Sequence, residues 1–350
     1  MSPVGRAGRQ LEVLIVSLGS TAGLRRADEE LRDSLERAGA RVAIARASAP
    51  AQTRTLMLTD LAWARAARAA ASAALAQLHG SPPPPIIYSS TTAALLWPCP
   101  GAIRFDAPSA GNRPGRHGLW QRPLERRRLA QASLLLPWSE GGLSEAPATE
   151  ARARALVLPV PVEPSRPPQP ARDIAALTYA ANPSKKGLDR VLAAWRSVRS
   201  ERRLEELVVA GASLQDLEQA GFHLAREDGV RVVGALSPGE YRTLVRRARV
   251  FVCAPRREDY GIAQLEALAD GCLLVSSPAP GPYAALSIAR LLDPRLVSED
   301  LESALRIALA DPLPDYAARA QGAIAPFLRD ASDRLVAEQL LPRLLAATPG

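Results

Sequence analysis

The sequence predicts an α/β protein built from two domains, each a doubly wound parallel sheet. Short apolar runs without polar alternation, the pattern of buried parallel strands, alternate along the chain with segments of helical periodicity. The alternation occurs twice, on either side of residues 163–170 (EPSRPPQP), where four prolines in eight residues exclude a helix or central strand. With 350 residues and 47% hydrophobic side chains, each half can form its own core. We therefore expect a first domain over residues 1–165, a second over 166–330, and a terminal helix over 331–350.

The first predicted domain opens with the apolar run LEVLIVSL, followed by a glycine-containing turn, a helix and a second strand. This succession is the start of a doubly wound sheet. The tetraproline Pro82–Pro85 is a stiff connector after a long Ala-rich helix, and residues 106–128 lack apolar periodicity. One predicted helix follows the glycine-containing turn and ends near Arg37, and a second covers Thr53–Leu78. The predicted strands are Leu11–Leu18, Arg41–Ala45, Ile86–Ser89, Ala102–Phe105, Leu134–Pro137 and Leu156–Val162.

The second predicted domain repeats the pattern after the proline-rich segment. Ser237 and Pro238 mark a helix start as N-cap and first helical residue, and Asp270-Gly271 marks a helix end. The predicted strands are Ile174–Ala180, Glu206–Ala210, Val230–Gly234, Val250–Ala254 and Cys272–Val275, and the predicted helices are Leu188–Val198, Pro238–Ala248, Ile262–Ala269 and, more approximately, 299–310, 316–328 and 331–345.

Several classes of protein are disfavoured by composition. No run approaches 18 uninterrupted apolar residues, and the first residues lack the apolar stretch of a signal peptide, so we expect a cytoplasmic protein. Three cysteines and three histidines are scattered, which predicts reduced core thiols and no metal site. No helix-turn-helix or zinc pattern accompanies the basic residues, so nucleic-acid binding is not favoured.

The positive charge is concentrated in the first half. Up to Ser165 there are 20 arginines against 13 acidic residues, whereas the remainder is nearly neutral. Seven arginines but only two acids lie between Arg104 and Arg128. We hypothesise that these arginines form a basic face. This face would bind an anionic substrate, the acceptor of a transferred group, or make peripheral contact with an anionic membrane that carries it.

The stretch Arg249–Ser277 holds the residues with the clearest chemistry. It is predicted to form strand, loop, helix and strand, with Glu258 in the loop and Glu266 in the helix. The helix start at Gly261 and Ile262 offers backbone N–H groups and a positive dipole end to phosphate oxygens. At 1.5 Å per residue, Glu266 lies roughly 7 Å further along the axis, about the reach from a pyrophosphate to a ribose.

This stretch resembles the donor-site motif of retaining glycosyltransferases of the GT-B fold, family 4. In that family a glutamate, seven residues and a second glutamate follow a strand and end in a glycine-closed helix. The resemblance implies two domains facing a cleft, a nucleoside diphosphate sugar as donor and no metal or other cofactor. It also implies transfer to a hydroxyl acceptor with retention of anomeric configuration. Glu258 would then contact hydroxyls of the donor sugar, and Glu266 those of the ribose.

A second loop, residues 181–187 (ANPSKKG), resembles the first donor-domain loop of the same family. There an arginine and a Lys-Gly pair hold the donor phosphates. Lys186 and Gly187 match that pair, whereas the arginine's place falls near Ala181 or Asn182. Besides Asn182, the residues that could supply the missing contact are Lys185, Arg256 and Arg257.

The first domain contributes two further candidates through the resemblance. Gly19 and Gly23 lie in the loop that faces the cleft in the family, where glycine lets a substrate approach the backbone. Asp106 ends the fourth strand and is a catalytic candidate together with Glu258 and Lys186. Many members carry a histidine before this acid, but here Phe105 occupies that place.

Other functions remain open on the sequence alone. A nucleotide-sugar epimerase or a sugar phosphorylase shares the architecture, although no extra phosphate residues of a phosphorylase are identifiable. The absent histidine and arginine would also fit a homologue that only binds a sugar nucleotide or a partner. Nucleotide release from a panel of sugar nucleotides would separate the enzyme from the binder.

Overall fold

The computed structural model describes residues 12–51, 53–77, 83–113, 115–148, 150–165, 172–201 and 205–346. These divide into two compact units, one ending at Pro161 and resuming at Arg329, the other spanning Val162–Leu328. The predicted strand start at Leu11 and most of the proline-rich segment lie outside the described residues.

The sheet of the first unit has five strands in the order β2-β1-β3-β4-β5, and every neighbouring pair is parallel. This is the flavodoxin-like doubly wound order, whose ligand crevice lies between the first and third strands. β1, β3, β4 and β5 are mainly apolar and their described side chains are buried, whereas β2 is the half-exposed edge. The strands are β1 Glu12–Ser17, β2 Arg41–Arg46, β3 Ile86–Tyr88, β4 Ala102–Phe105 and β5 Leu135–Pro137.

Helices cover both faces of this sheet. Alternate residues of β1 face opposite sides, and the apolar residues on both sides are buried. Leu14 and Val16 belong to one apolar cluster, and Val13 and Ile15 belong to the other. The first six helices are α1 Ala22–Arg37, α2 Leu56–Ala76, α3 Thr91–Ala94, α4 Ser109–Asn112, α5 Gln121–Gln131 and α6 Glu140–Glu145.

One predicted strand of this unit is wrong. Residues 156–162 run extended beside β5 at first, where Leu156 and Leu158 donate backbone hydrogen bonds to Leu135 and Pro137 at 2.9 and 2.8 Å. β5 ends at Pro137, so the residues after Leu158 have no neighbouring strand in the described part of the chain with which to continue the ladder. Only isolated bridges remain at the two ends of the segment.

Helix α5 was not predicted, and the reason lies in its buried face. Its buried residues are Gln121, Glu125 and Leu129, spaced four apart, and two of the three are polar. Glu125 accepts hydrogen bonds from the backbone and hydroxyl of Ser109 at 2.8–3.0 Å, so it is buried with partners. A helix with such a face leaves no apolar periodicity in the sequence.

The second unit contains a parallel sheet in the order β10-β9-β6-β7-β8. Counted from β6, this is the 3-2-1-4-5 succession of a Rossmann-type sheet. The two five-stranded sheets confirm the predicted fold class of two doubly wound parallel-sheet domains. The strands are β6 Ile174–Tyr179, β7 Leu207–Ala210, β8 Val230–Gly234, β9 Ala248–Cys253 and β10 Leu273–Ser276.

The helices of the second unit include one that ends earlier than predicted. The helix expected over 316–328 stops at Ala323, because Pro326 cannot continue the ladder and a 3-10 turn, Ala325–Phe327, follows. The helices are α7 Leu188–Arg199, α8 Leu214–Gln219, α9 Pro238–Arg247, α10 Ile262–Ala269, α11 Ala284–Leu292, α12 Leu301–Ala310 and α13 Tyr316–Ala323.

The chain then returns to the first unit. α14 (Arg329–Leu335) and α15 (Leu341–Ala346) are joined by a π-helical turn. Val336, Leu340 and Leu344 are buried in the same apolar cluster as Val13 and Ile15. This segment therefore completes one face of the first sheet.

The described residues offer no candidate for a membrane-spanning helix or for a metal site. Among them, no helix combines the length and apolar character needed to cross a bilayer. The same residues contain no group of three or more histidine, cysteine, aspartate or glutamate side chains arranged to hold a metal ion.

Candidate functional site

The candidate site lies where the strand order of the second sheet reverses. β6 pairs with β9 in parallel, with Ala176 opposite Val250 and Leu177 opposite Phe251. The chain leaves β6 toward one edge and β9 toward the other, so the loops after these two strands border a crevice. These are the two loops singled out in the sequence, residues 180–187 and 254–261.

The two loops are in direct contact. The backbone N–H of Arg256 donates to the carbonyl of Lys185 at 3.0 Å. Gly187 has φ +64°, and a Cβ atom there would lie 1.8 Å from the carbonyl oxygen of Ala254. Glycine is therefore required at position 187, both for its backbone angle and for the closeness of the loops.

This contact brings together Lys186 and Glu258. The Lys186 Nζ atom donates to Oε2 of Glu258 at 2.6 Å. Glu258 is 7% exposed, whereas about a quarter (24%) of the Lys186 side chain is exposed. The amide of Gln264 donates to the same Oε2 atom at 3.1 Å. Two donors thus fix one oxygen of the carboxylate, and the lysine remains reachable from solvent.

The loop after β10 holds Glu258 from the other side. The backbone N–H of Glu258 donates to the carbonyl of Pro280 at 3.1 Å. Gly281 has φ +111°, and a Cβ there would lie 2.3 Å from the carbonyl oxygen of Glu258. The rigid Pro-Gly-Pro segment therefore supports the backbone of this glutamate.

The other cations of the two loops have carboxylate partners. Arg256 bonds to Asp189 at 2.8 Å. Arg257 bonds to Asp259 at 2.8 Å, and the Lys185 ammonium lies 3.5 Å from that carboxylate. These contacts hold the loops together, and a phosphate role for Lys185 or Arg256 stays a prediction.

Asn182 shapes the first of the two loops. Its side-chain oxygen accepts from the backbone N–H of Lys185 at 3.0 Å, and its carbonyl accepts from the N–H of Lys186 at 2.9 Å. Asn182 thus folds the turn that presents both lysines. A direct contact between Asn182 and a donor stays a prediction.

Helix α10 begins at this site with Gly261 as its N-cap. Gly261 has φ +92°, provides no side-chain cap, and would place a Cβ 2.7 Å from the ring of Tyr283. The N–H groups of a first helical turn have no helical carbonyl to bond, and the macrodipole makes this end positive. The helix start at Gly261 and Ile262 is therefore suited to an anion.

Glu266 lies one turn further along α10 and is 3% exposed. Its Oε1 atom is 4.0 Å from the guanidinium of Arg242. Arg242 also binds Asp270 at 2.9 Å, the Ser165 hydroxyl at 2.9 Å and the Glu163 carbonyl at 2.6 Å. Burial raises the pKa of the Asp270 carboxyl although Arg242 opposes the shift.

The candidates of the first unit lie at the carboxyl ends of their strands. Gly19 follows β1 with φ +56°, and its carbonyl accepts from Arg25 at 2.7 Å. Asp106 follows β4, is half-buried, and its Oδ1 atom accepts from the backbone N–H of Ala107 at 2.8 Å. Catalytic or substrate roles for both stay predictions.

The predicted basic face must be reduced, because Arg104 is in the interior. It is 1% exposed, bonds to the carbonyl of Ala27 at 2.9 Å, and lies 5.2 Å from the centre of the Trp138 ring. Arg113 is occupied by Asp60 at 2.6 Å. The arginines of this span that are exposed are Arg116, Arg126 and Arg127.

Three contributors to the site were not anticipated as site residues: Gln264, Arg242 and the Pro280-Gly281 pair. Gln264 lies between apolar residues of a helix and carries no spacing signal of its own. Arg242 is one of many arginines. The loop after β10 carries several prolines, but its contact with Glu258 depends on the pairing of β9 with β10.

Two doubly wound sheets with a phosphate-compatible switch point define the class, a two-domain α/β protein of the GT-B type. Residues 163–323 match the family model described as glycosyl transferases group 1. The matched range covers most of the second unit, Val162–Leu328, and agrees with the resemblance seen in the sequence.

Two curated relatives match part of the chain. One is the alpha-monoglucosyldiacylglycerol synthase of Streptococcus pneumoniae (strain ATCC BAA-255 / R6), 32% identical over 98 residues, or 27% of this chain and 22% of the relative. The other is the GDP-mannose:cellobiosyl-diphosphopolyprenol alpha-mannosyltransferase of Xanthomonas oryzae pv. oryzae (strain PXO99A), 30% identical over 106 residues, or 29% of this chain and 28% of the relative. The matches span about a quarter of these relatives' length.

Solved structures resemble a larger part of the chain. WaaG, a glycosyltransferase involved in lipopolysaccharide biosynthesis, has a TM-score of 0.69 at 15% identity, covering 92% of this chain and 99% of its own. The sucrose-phosphate synthase of Thermosynechococcus elongatus has a TM-score of 0.63 at 16% identity, covering 97% and 100%. At these identities the similarity establishes the fold.

Proposed function

We propose that this protein transfers a sugar from a nucleoside diphosphate sugar to a hydroxyl acceptor, with retention of configuration at the anomeric carbon. The observation that carries the proposal is the position of Lys186, 2.6 Å from Glu258 and on the loop beside the start of α10. An ammonium, a carboxylate and a positive helix end next to one another suit a sugar diphosphate, which is anionic at one end and rich in hydroxyls at the other.

The chemistry asks chiefly for stabilisation of the leaving group. The bond from the anomeric carbon to the diphosphate oxygen breaks, a bond to the acceptor oxygen forms, and the acceptor proton is released. Negative charge develops on the departing diphosphate, where Lys186 and the N–H groups at Gly261 and Ile262 would stabilise it. In the proposed donor complex Lys186 turns from Glu258 to the phosphates, and Glu258 accepts from sugar hydroxyls. Glu266 would accept from the ribose hydroxyls.

Lys186 and the start of α10 would neutralise the diphosphate in this proposal, which does not call on a metal. Asp106 remains the acceptor-side candidate of the first unit. At the end of a buried strand, a half-buried carboxylate can accept the proton of an attacking hydroxyl.

The names of the two curated relatives suggest the kind of acceptor. One contains diacylglycerol and the other diphosphopolyprenol, so both relatives are named for a lipid. In this chain Arg116, Arg126 and Arg127 are exposed, and Leu119, which lies within eight residues of each in sequence, is 64% exposed. Exposed arginines and an exposed leucine in one short segment suit the surface of an anionic bilayer. We therefore extend the proposal to a lipid-carried acceptor and peripheral binding to anionic membranes.

The first experiment incubates the purified protein with a panel of sugar nucleotides and measures nucleotide release, then follows the anomeric proton of the product by NMR. Release with one donor and an unchanged anomeric configuration is the expected result. Inversion would contradict the stereochemical part. Binding of a nucleotide sugar without release, even with lipid acceptors added, would favour the non-catalytic binder, and an isomerised nucleotide sugar would identify an epimerase.

The second experiment measures sedimentation with vesicles of anionic or zwitterionic lipid. Binding to anionic vesicles should weaken with salt and should be lost when Arg116, Arg126 and Arg127 are replaced by alanine. The control replaces three other exposed arginines, Arg54, Arg65 and Arg343. Equal loss in both triple variants would reduce the effect to net charge, and no binding at low salt would refute membrane docking.

A further inference from the structure

Gln264 occupies an unusual place inside the candidate site. It lies on α10 between the two glutamates of the motif and is 2% exposed. Its neighbours on the helix are also buried, so its amide is held in a fixed position behind Glu258. A buried amide in such a place needs hydrogen-bond partners for both its nitrogen and its oxygen.

The nitrogen of this amide has its partner, but the oxygen does not. Nε2 donates to Oε2 of Glu258 at 3.1 Å. A carboxylate only accepts, so the nitrogen must face Glu258 and the oxygen must face away. Among the described residues, no donor reaches the buried Oε1 atom of Gln264.

The unpaired oxygen lies at the start of α10. Oε1 is 3.4 Å from the point where a Cβ atom of Gly261 would stand. The nearby hydroxyl of Tyr283 is already engaged with the thiol of Cys253 at 3.4 Å and the hydroxyl of Ser276 at 3.3 Å. A buried acceptor thus remains unpaired next to the glycine that opens the proposed donor site.

We infer that Gln264 is a specificity-determining residue, whose Oε1 atom accepts a hydrogen bond from one hydroxyl of the donor sugar. This inference rests on the proposed function. Both hydrogen bonds to the Glu258 side chain fall on Oε2, so Oε1 of Glu258 would be the oxygen that accepts from the ligand. Two acceptors from adjacent side chains then require two donors from the ligand. The site selects a sugar with neighbouring free hydroxyls and discriminates against a deoxy or O-substituted sugar at either position.

The inference accounts for the choice of glutamine within an apolar stretch of α10. A leucine would pack equally well but would present no acceptor, and Glu258 would lose one of its two donors. A glutamate would repel Glu258. Glutamine supplies a donor toward Glu258 and an acceptor toward the ligand at the same time.

The test measures binding by calorimetry, with wild type and Gln264→Leu, for three probes: the nucleoside diphosphate, its sugar conjugate, and the set of monodeoxy sugar conjugates. The variant should bind the nucleoside diphosphate as wild type does and the sugar conjugate about tenfold more weakly. Wild type should discriminate about tenfold against one deoxy sugar, and the variant should bind that analogue and the parent sugar equally. If Gln264→Leu does not fold, Gln264→Met takes its place.

A second variant, Glu258→Gln, distinguishes contact with the sugar from indirect positioning. Gln264 and Glu258 should each couple to a different hydroxyl. Coupling of both to the same hydroxyl would mean that Gln264 acts only through Glu258, and persistent discrimination in Gln264→Leu would also overturn the inference. If wild type binds the nucleoside diphosphate but no sugar conjugate, the inference fails. If it binds neither, the proposed function fails as well.

Discussion

The Lys186 ammonium donates to Oε2 of Glu258 at 2.6 Å, although the two residues are 72 positions apart in the chain. The pairing of β6 with β9 places their loops side by side, and Gly187 lets them touch. Under the proposed function, a diphosphate would compete with Glu258 for Lys186, and its binding would release the carboxylate for the sugar.

Replacing Lys186 by alanine should reduce turnover far more than it reduces stability. The ammonium matters most when the diphosphate gains charge, and loss of one such transition-state donor costs about 100- to 1,000-fold in kcat. The ion pair is partly exposed and Gln264 still holds Glu258, so the fold should persist. Steady-state kinetics with the true donor and thermal unfolding measure the two effects.

The matched control is Lys185→Ala, which removes the adjacent ammonium. Its Nζ atom lies 3.5 Å from Asp259 and the side chain is half-exposed. We expect a smaller effect on kcat than for Lys186→Ala. Equal losses would mean that the phosphate is bound by the general charge of the loop, and wild-type turnover in both variants would remove this loop from the mechanism.

Replacing Glu266 by alanine should weaken binding of the free nucleoside diphosphate by about 1–3 kcal/mol, the cost of leaving ribose hydroxyls without their acceptor. The fold should survive, because Arg242 keeps its contacts with Asp270 and Ser165. Calorimetry provides the affinity, and Glu218→Ala, an exposed glutamate of α8, is the control. Unchanged affinity in folded Glu266→Ala would remove this residue from the site.

Replacing Gly187 by alanine should destabilise the protein and weaken donor binding together. The new Cβ atom would lie 1.8 Å from the carbonyl oxygen of Ala254, so the two loops must separate. The positive φ at this position is also one that residues with a side chain rarely adopt. We expect a loss above about 1 kcal/mol in unfolding free energy. Gly239→Ala is the comparison, because that position in α9 has open space and no positive φ. It should be neutral or slightly stabilising, and similar losses in both would contradict the loop contact.

The pH dependence of stability should change in Asp28→Asn. Burial raises the pKa of Asp28, although its hydrogen bond with Ser17 and the charge of Arg104 oppose this. The unfolded chain titrates near about 3.9, so stability from Asp28 is complete below that pH and is lost as pH rises through the raised folded pKa. Asparagine cannot ionise, so the free energy of unfolding of the variant should increase relative to that of wild type as pH rises above about 4. The increase is at most about 1.36 kcal/mol per pH unit.

Chemical unfolding at a series of pH values measures that difference. Ser17→Ala supplies a second check, since it removes a hydrogen bond that lowers the pKa of Asp28. It should extend the loss of stability to higher pH. A pH-independent difference between Asp28→Asn and wild type would show that the pKa of this buried carboxyl is not raised.

Much of the fold followed from local signals. Strands such as Ile174–Tyr179 and Leu207–Ala210 were predicted to within a residue of their observed bounds, because mainly apolar runs between turns are typical of buried parallel strands. The predictions from hydrophobic periodicity failed where polar or charged side chains are buried. Helix α5 buries Gln121 and Glu125, and β4 buries Arg104, so hydrophobic periodicity could not report them. Their partners, Ser109 and Ala27 among them, come from other elements.

The sequence by itself determined the type of protein: two alternating α/β halves, and a motif in which Glu258, Gly261 and Glu266 have the spacing of a helix start that receives a phosphate. Those features depend on residues that are close together in the chain, so the sequence alone is enough to predict them. The tertiary structure alone decided which side chains meet. Lys186 reaches Glu258, Gln264 stands behind it and Arg242 holds Asp270, because parallel pairing of distant strands brings their carboxyl ends to one edge of the sheet. Hydrogen bonds between residues far apart in the chain leave no periodic trace in the sequence, so only the folded chain specifies them.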